Sequence, residues 1–164
     1  MDDVIHVFHK VNKEIPSKLL LIGDGPERQD MEDLCRKLDL CEDIRFLGRQ
    51  DAVEELLAVS DLFIMPSESE SFGLAALEAM ACEVPVISSN AGGLPEVNIQ
   101  GVTGFLSNVG DTDDMAKNGI YILESDDRLQ QFKQNALVQA KRFSLQNVLP
   151  SYKELYKEVL VDCC

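Results

Sequence analysis

With 164 residues, 45 % of them apolar and 27 % charged, the chain can enclose one sizeable core and is too short for two large domains. A net charge of −14, with no Lys or Arg between positions 50 and 116, argues against a nucleic-acid or anionic-membrane surface, which needs clustered cations. No apolar run reaches the roughly 18–20 residues of a membrane span, Met1-Asp2-Asp3-Val4 lacks the features of a secretory leader, and five cysteines (Cys35, Cys41, Cys82, Cys163, Cys164) without CxxC or metal-ligand spacing predict reduced thiols in a cytoplasmic protein.

Helix and strand patterns alternate along the chain. Val4, Ile5, Phe8 and Val11 stand at helical spacing behind Asp2 and Asp3, which suit an N-cap. Residues 18–22 form a short apolar run closed by Gly23, a buried strand. Pro26 is placed to open a helix whose inner face holds Met31, Leu34, Cys35 and Leu38. Residues 44–48 predict a second strand, 52–59 a helix, and 62–65 a third strand stopped by Pro66. Residues 73–82 predict a helix, 84–88 a fourth strand and 104–106 a short fifth. Residues 111–123, 128–142 and 145–160 predict three helices, the last interrupted near Pro150.

Continuous apolar strands between helices point to an α/β domain, a Rossmann-like parallel sheet with helices on both faces. Such sheets bind ligands beyond the carboxyl ends of their strands. Four loops rich in glycine, serine or charge fall there: 23–26, 48–50, 67–73 and 88–93. A doubly wound fold normally opens with a strand, and this chain opens with a helix, so one strand is expected to be missing upstream. No repeat or long linker divides residues 1–164, and a single domain is expected.

The sharpest motif is Glu70-Ser71-Phe72-Gly73-Leu74-Ala75-Ala76-Leu77-Glu78. The helix that follows Gly73 is apolar except for Glu78, and an all-apolar helix is expected to be buried. A buried carboxylate then needs a cation, a donor or a ligand hydroxyl. The amides of Phe72, Gly73 and Leu74 stand at the helix start, where an anion binds. Two acceptors thus flank a phosphate cradle, which matches a sugar nucleotide. The plain alternative makes Glu70 a favourable N-terminal charge and Glu78 the partner of a distant cation. Gly23-Asp24-Gly25-Pro26 and Gly92-Gly93 are also consistent with ordinary turns. Asp111-Thr112-Asp113-Asp114 is better explained as a helix cap than as a metal site, and His6 and His9 fall on a surface helix away from the strand ends.

The block 66–106 resembles the family 4 (group 1) glycosyltransferases of GT-B fold. The resemblance is carried by Glu70 and Glu78 with their spacing, by 79–82 and 84–87, by Gly92-Gly93-Leu94-Pro95-Glu96-Val97, and by Gly101-Val102-Thr103-Gly104-Phe105-Leu106. Residues 23–26 and 46–48 also agree, so it covers nearly the whole chain. It implies the C-terminal, donor-binding domain of a retaining enzyme. Glu70 would lie against the donor sugar as the catalytic-site carboxylate, positioning rather than attacking. Glu78 would take the ribose hydroxyls, the amides of Phe72, Gly73 and Leu74 the sugar and diphosphate, Gly23 and Gly25 the nucleotide, and Arg49 with Gln50 the uracil. No metal or other cofactor is implied. The closer wording within the family implies UDP-N-acetylglucosamine as donor and L-malate as acceptor, in bacillithiol biosynthesis. The acceptor would sit on an N-terminal domain outside this chain.

The same resemblance implies a core over 1–143 and a last helix, 144–164, that crosses to that other domain. Leu145, Val148, Leu149, Tyr152, Leu155, Tyr156 and Val159 exceed one helical face, and part of that surface is expected to be exposed or used in homo-oligomer formation. Glu83 stands where the family usually has glycine, and the Arg and Lys that hold the diphosphate in the family have no counterpart here. A fragment lacking them is expected to bind donor weakly and to be inactive alone. Another GT-B activity, such as a UDP-sugar 2-epimerase, and a non-catalytic α/β binding module remain the competing readings.

Overall fold

The computed structural model describes residues 2–161; Met1 and the thiols expected at Cys163 and Cys164 lie outside them. The elements are α1 (Asp2–Glu14), β1 (Leu19–Ile22), α2 (Arg28–Lys37), β2 (Ile44–Gly48), α3 (Val53–Leu57), β3 (Phe63–Met65), α4 (Leu74–Ala81), β4 (Val86–Ser89), α5 (Leu94–Val97), β5 (Gly104–Ser107), α6 (Thr112–Leu123), α7 (Asp126–Arg142) and α8 (Leu145–Val161). The alternating α/β pattern is therefore present as expected.

Several boundaries shift for identifiable reasons. α2 begins at Arg28 rather than Pro26, because Gly25 to Arg28 forms a turn in which the Arg28 amide donates to the Gly25 carbonyl at 3.2 Å. α4 begins after Gly73, whose φ of 98° is left-handed and outside any right-handed helix. α8 runs through Pro150 without the expected interruption. α5 is an extra short helix where only a glycine turn was expected. Asp111 caps α6 by accepting from the Asp114 amide at 3.0 Å, which is the cap expected of that acidic run.

The strands do not form one continuous sheet. β1 and β2 pair in parallel, and β3, β4 and β5 form a separate parallel sheet in that order. Both sheets are parallel and flanked by helices, as expected of the fold class, and no ladder joins β1 to β3. Around β4 the layering is complete. Val86 faces a core built with α4, α5 and α7, while Ile87 faces another built with α1 and α6. This is the period-2 alternation of a strand covered on both faces. Under β1 and β2 a third cluster joins Ile5 and Phe8 of α1 to Met31 and Cys35 of α2 and to Leu19, Leu21, Ile44 and Phe46. Leu20, Ile22 and Leu47, on the opposite face, belong to none of the three clusters.

α1 spans the break, giving Ile5 and Phe8 to one half and Val7 and Val11 to the other. It is accordingly a buried helix, not the surface helix expected from its histidines. Burial, chiefly, with Lys13, His6 and Lys10 nearby, holds His9 below its ordinary pKa. Lys10 ties α1 to the start of α6 through Asp113 at 2.6 Å and the Thr112 hydroxyl at 2.8 Å. α8 is packed least: Leu145, Leu149, Tyr152, Leu155, Tyr156 and Val159 are exposed and Val148 is half-buried, close to the expected surplus of apolar surface.

Candidate functional site at the strand ends

The turn between β3 and α4 is fixed by the loop after β4. The Gly93 amide donates to the Glu70 carbonyl at 3.1 Å. A Cβ on Gly92 would lie 1.7 Å from that same oxygen, and one on Gly93 would lie 2.6 Å from the Ser71 carbonyl. Only glycines allow this contact of backbone on backbone. The paired glycines thus build the site wall and are more than a generic turn. Gly73 is confined as well, since a Cβ there would meet Leu94 at 2.9 Å. Ser89, at the end of β4, donates its hydroxyl hydrogen to the Ser67 carbonyl and ties the two strand ends together.

Glu70 is drawn into this turn. Its carboxylate accepts from the Gly73 amide at 3.2 Å and from the Phe72 amide at 3.4 Å. Both amides were assigned to a diphosphate, and here Glu70 itself occupies them; a carboxylate at a helix start is favourable for the same electrostatic reason. The Phe72 ring turns inward and meets Phe143 edge-on, 5.7 Å between centroids, so Phe72 offers a ligand its backbone alone. The Leu74 side chain is 64 % exposed.

Glu78 requires a correction. It is exposed, not buried, together with Leu74, Ala75 and Ala81 along one side of α4. The opposite side, with Ala76, Ala79 and Met80, is fully buried. A desolvated carboxylate therefore does not exist here, and a need for a compensating partner is no evidence for a ligand. What remains is position. Leu74 and Glu78 are one helical turn apart, on a face open to solvent, directly after the turn that holds Glu70.

The other expected site residues gather on the β1–β2 half. The Gly23 amide donates to the Gly48 carbonyl at 2.9 Å, joining the two strand ends. The Gly25 amide donates to the Asp24 carboxylate at 3.0 Å, so that loop is capped by its own side chain. Arg49 and Gln50 are exposed, and the Gln50 amide group donates to the Leu47 carbonyl at 2.6 Å. Arg28 was not expected at the site. Its guanidinium lies 5.8 Å from the Phe46 ring centre, pairs with Glu32 at 3.0 Å and approaches Gly48. The cations near the strand ends, Arg28 and Arg49, thus belong to one half and the paired glutamates to the other.

Behind the site lies a polar knot that composition alone did not reveal. Asn98, fully buried, donates to the Val86 carbonyl at 3.0 Å, the Ser88 hydroxyl at 3.0 Å and the Phe105 carbonyl at 3.1 Å. It accepts from the Thr103 hydroxyl at 2.9 Å. These bonds lock β4 to β5 just beneath the loop that carries Gly92 and Gly93. Among the described residues no group of three His, Cys, Asp or Glu side chains is placed to hold a metal ion. A cavity of about 1640 Å³ is lined by residues of β1 and β3 and reaches Gly23, Gly25, Ser67 and Glu68; neither Glu70 nor Glu78 lines it.

Known proteins resemble this chain in sequence and in fold. The chain is 42 % identical over 163 residues to N-acetyl-alpha-D-glucosaminyl L-malate synthase of Bacillus anthracis, an alignment covering 99 % of this chain and 43 % of that protein. It therefore spans less than half the length of that relative. A structure of Anabaena HepE in complex with UDP and glucose superposes with a TM-score of 0.82 at 26 % identity, over 93 % of this chain and 44 % of that one. S. aureus TarM shares the fold at a TM-score of 0.87 and 21 % identity, over 94 % of this chain and 32 % of that one. The description of the glycosyl transferases group 1 family matches residues 1–139, which is most of the chain, and it is to this family that the chain belongs.

Proposed function

We propose that this chain is the nucleotide-sugar-binding part of a retaining glycosyltransferase that transfers N-acetylglucosamine from UDP-N-acetylglucosamine to a small acceptor, L-malate foremost. The observation that carries the reading is the Glu70 turn, pressed into shape by Gly92 and Gly93, with Glu78 on the open face of the helix it starts. The similarity to the Bacillus anthracis synthase supports the sugar and the acceptor. The UDP and glucose bound by HepE support a nucleotide-sugar donor.

In this reading Glu78 accepts from the ribose hydroxyls. Glu70 holds the donor sugar, and its carboxylate gives up part of its hold on the Phe72 and Gly73 amides when the sugar and diphosphate arrive. The positive end of α4 then faces the charge that develops on the leaving diphosphate, which is where preorganised dipoles act most strongly. Arg28 and Arg49 on the neighbouring half add cationic charge. No metal takes part, and the acceptor binds on polypeptide outside this chain.

The test is calorimetric titration of the chain with UDP, UDP-N-acetylglucosamine, GDP and ADP, in the presence of EDTA. Saturable binding of the uridine ligands is expected, lowered at least about tenfold by Glu78→Ala, the loss of roughly one charged hydrogen-bond pair. No binding of any of the four by the full-length parent would support a non-catalytic module instead. For the longer enzyme, NMR of the product formed from UDP-N-acetylglucosamine and L-malate should show the α anomer. Release of free N-acetylmannosamine and UDP without use of malate would indicate an epimerase.

A further inference from the structure

We infer, building on the nucleotide-sugar reading of the Glu70 turn, that Gln139 of α7 is a positioning residue for that turn and acts on it through α5.

α5 lies between the two. Its four residues are too few for a helix to hold its own shape, so its neighbours set its position. Its start shapes the turn. The Gly93 amide donates to the Glu70 carbonyl at 3.1 Å, and the Leu94 side chain occupies the space beside Gly73, where a Cβ would lie 2.9 Å from it. At its end, the Glu96 and Val97 carbonyls have no further helical turn to bond. Gln139 meets both: its Nε2 donates to the Val97 carbonyl at 3.2 Å and to the Glu96 carbonyl at 3.5 Å. One side chain therefore holds the far end of the helix whose near end presses on Glu70 and Gly73.

The chemistry of that side chain fits a tether. Gln139 is 5 % exposed, and among the described residues its Oε1 has no hydrogen-bond partner. A buried amide that is half satisfied lowers stability, and a methionine would fill nearly the same space. Packing thus does not account for a polar residue here, whereas its two donor bonds fix α5 against α7. Ala136 and Ala140, on the same face of α7, belong to one core with Leu94 and Val97 and are small enough to let the helices approach. The same end of α7 reaches the turn a second time, since the Phe143 ring meets the Phe72 ring edge-on. Lys133, earlier in α7, pairs instead with Asp61 ahead of β3 at 2.8 Å, so the bearing on the turn belongs to the last part of the helix.

Gln139→Met keeps the reach and bulk of the side chain and removes both donors. Backbone NMR of the unliganded variant is expected to show shifted amides at Gly93, Gly73 and Phe72. Calorimetric titration with UDP-N-acetylglucosamine, at a temperature where every variant is fully folded, should show affinity lowered roughly threefold or more. Gln139→Asn, whose donor falls one methylene short, should give smaller changes of the same kind. Lys133→Met breaks the tie to Asp61 and should leave both the turn amides and the affinity unchanged. A lower melting temperature in Gln139→Met and Gln139→Asn, with the turn amides and affinity unmoved, would make Gln139 a packing residue and overturn the inference. Equal effects from Lys133→Met would overturn it as well. Absence of UDP-N-acetylglucosamine binding by the unsubstituted chain would count against the nucleotide-sugar reading alone, and the Phe72 and Gly73 shifts would then decide whether Gln139 sets the turn.

Discussion

The β1–β2 half and the β3–β5 half are made from the same unit, a parallel strand followed by a helix, and they are finished differently. Every residue of β4 is buried and its two faces serve separate cores. No residue of β1 is fully buried, and Ile22 is 36 % exposed. The glycines repeat the contrast. A Cβ on Gly92, Gly93 or Gly104 would strike backbone, whereas one on Gly23 or Gly25 would meet nothing within 4 Å. The tight half holds Glu70 and Glu78, and the open half supplies Arg28 and Arg49. The paired glutamates therefore stand on the preorganised half, while the cations stand on the half with an unfilled edge.

The strongest way to break this contrast is to overfill the tight half. A Cβ on Gly104 would lie 1.7 Å from the Val86 carbonyl oxygen, and neither strand can retreat without losing the β4–β5 ladder. Gly104→Ala is expected to destabilise by about 3 kcal/mol or more, while Gly25→Ala on the open half stays within about 0.5 kcal/mol. Urea denaturation of the two variants measures both. Asn98→Ala comes next. It strips four hydrogen bonds from a buried knot, with an expected loss of roughly 2–3 kcal/mol. A loss near zero would mean that water replaces the side chain and that β4 and β5 do not depend on it.

A gain is expected at Glu83. It adopts φ 63°, a left-handed conformation that favours glycine, just after α4. Glu83→Gly should raise stability by about 0.5–1 kcal/mol, the relief of strain less the added freedom of the unfolded chain. It should leave donor affinity unchanged, which thermal melting with and without UDP can establish. The smallest effect belongs to the open half and to pH. The hydrogen bond from Lys18, then that from Asn12, holds Asp43 below its ordinary carboxylate range. Its folded pKa is depressed, so its contribution is present above the unfolded value of 3.8 and fades as pH falls through the lower folded value. Asp43→Asn should flatten that acid limb in stability measured between neutral and strongly acidic pH. An unchanged acid limb would show that the bonds at the base of β1 and β2 carry no net weight.

Much of this was legible in the residues. Apolar runs and turn glycines located all five strands, and the turn around Gly73 located the start of α4. Burial of Glu78 was misjudged because α4 is rich in alanine. Alanine is compatible with either face of a helix, so Ala75 and Ala81, both exposed, carried no information about which side was open. The seat of Glu70 on the Phe72 and Gly73 amides was hidden because the same amides suit a phosphate equally well. The break between β1 and β3 left no mark in composition, since pairing partners depend on contacts distant in the chain. Asn98 gave no periodic signal, as one buried amide among apolar neighbours resembles a loop residue.

The central claim is that the turn holding Glu70 and the open face of α4 receive a uridine nucleotide sugar. Backbone NMR titration of the chain with UDP-N-acetylglucosamine tests it most directly. Saturable shifts are predicted at Phe72, Gly73, Leu74, Glu78 and Gly93, with smaller ones at Gly23 and Gly25, and all should diminish together in Glu78→Ala. Shifts confined to residues lining the β1–β3 opening, or shifts at the glutamate turn that persist unchanged in Glu78→Ala, would contradict the account.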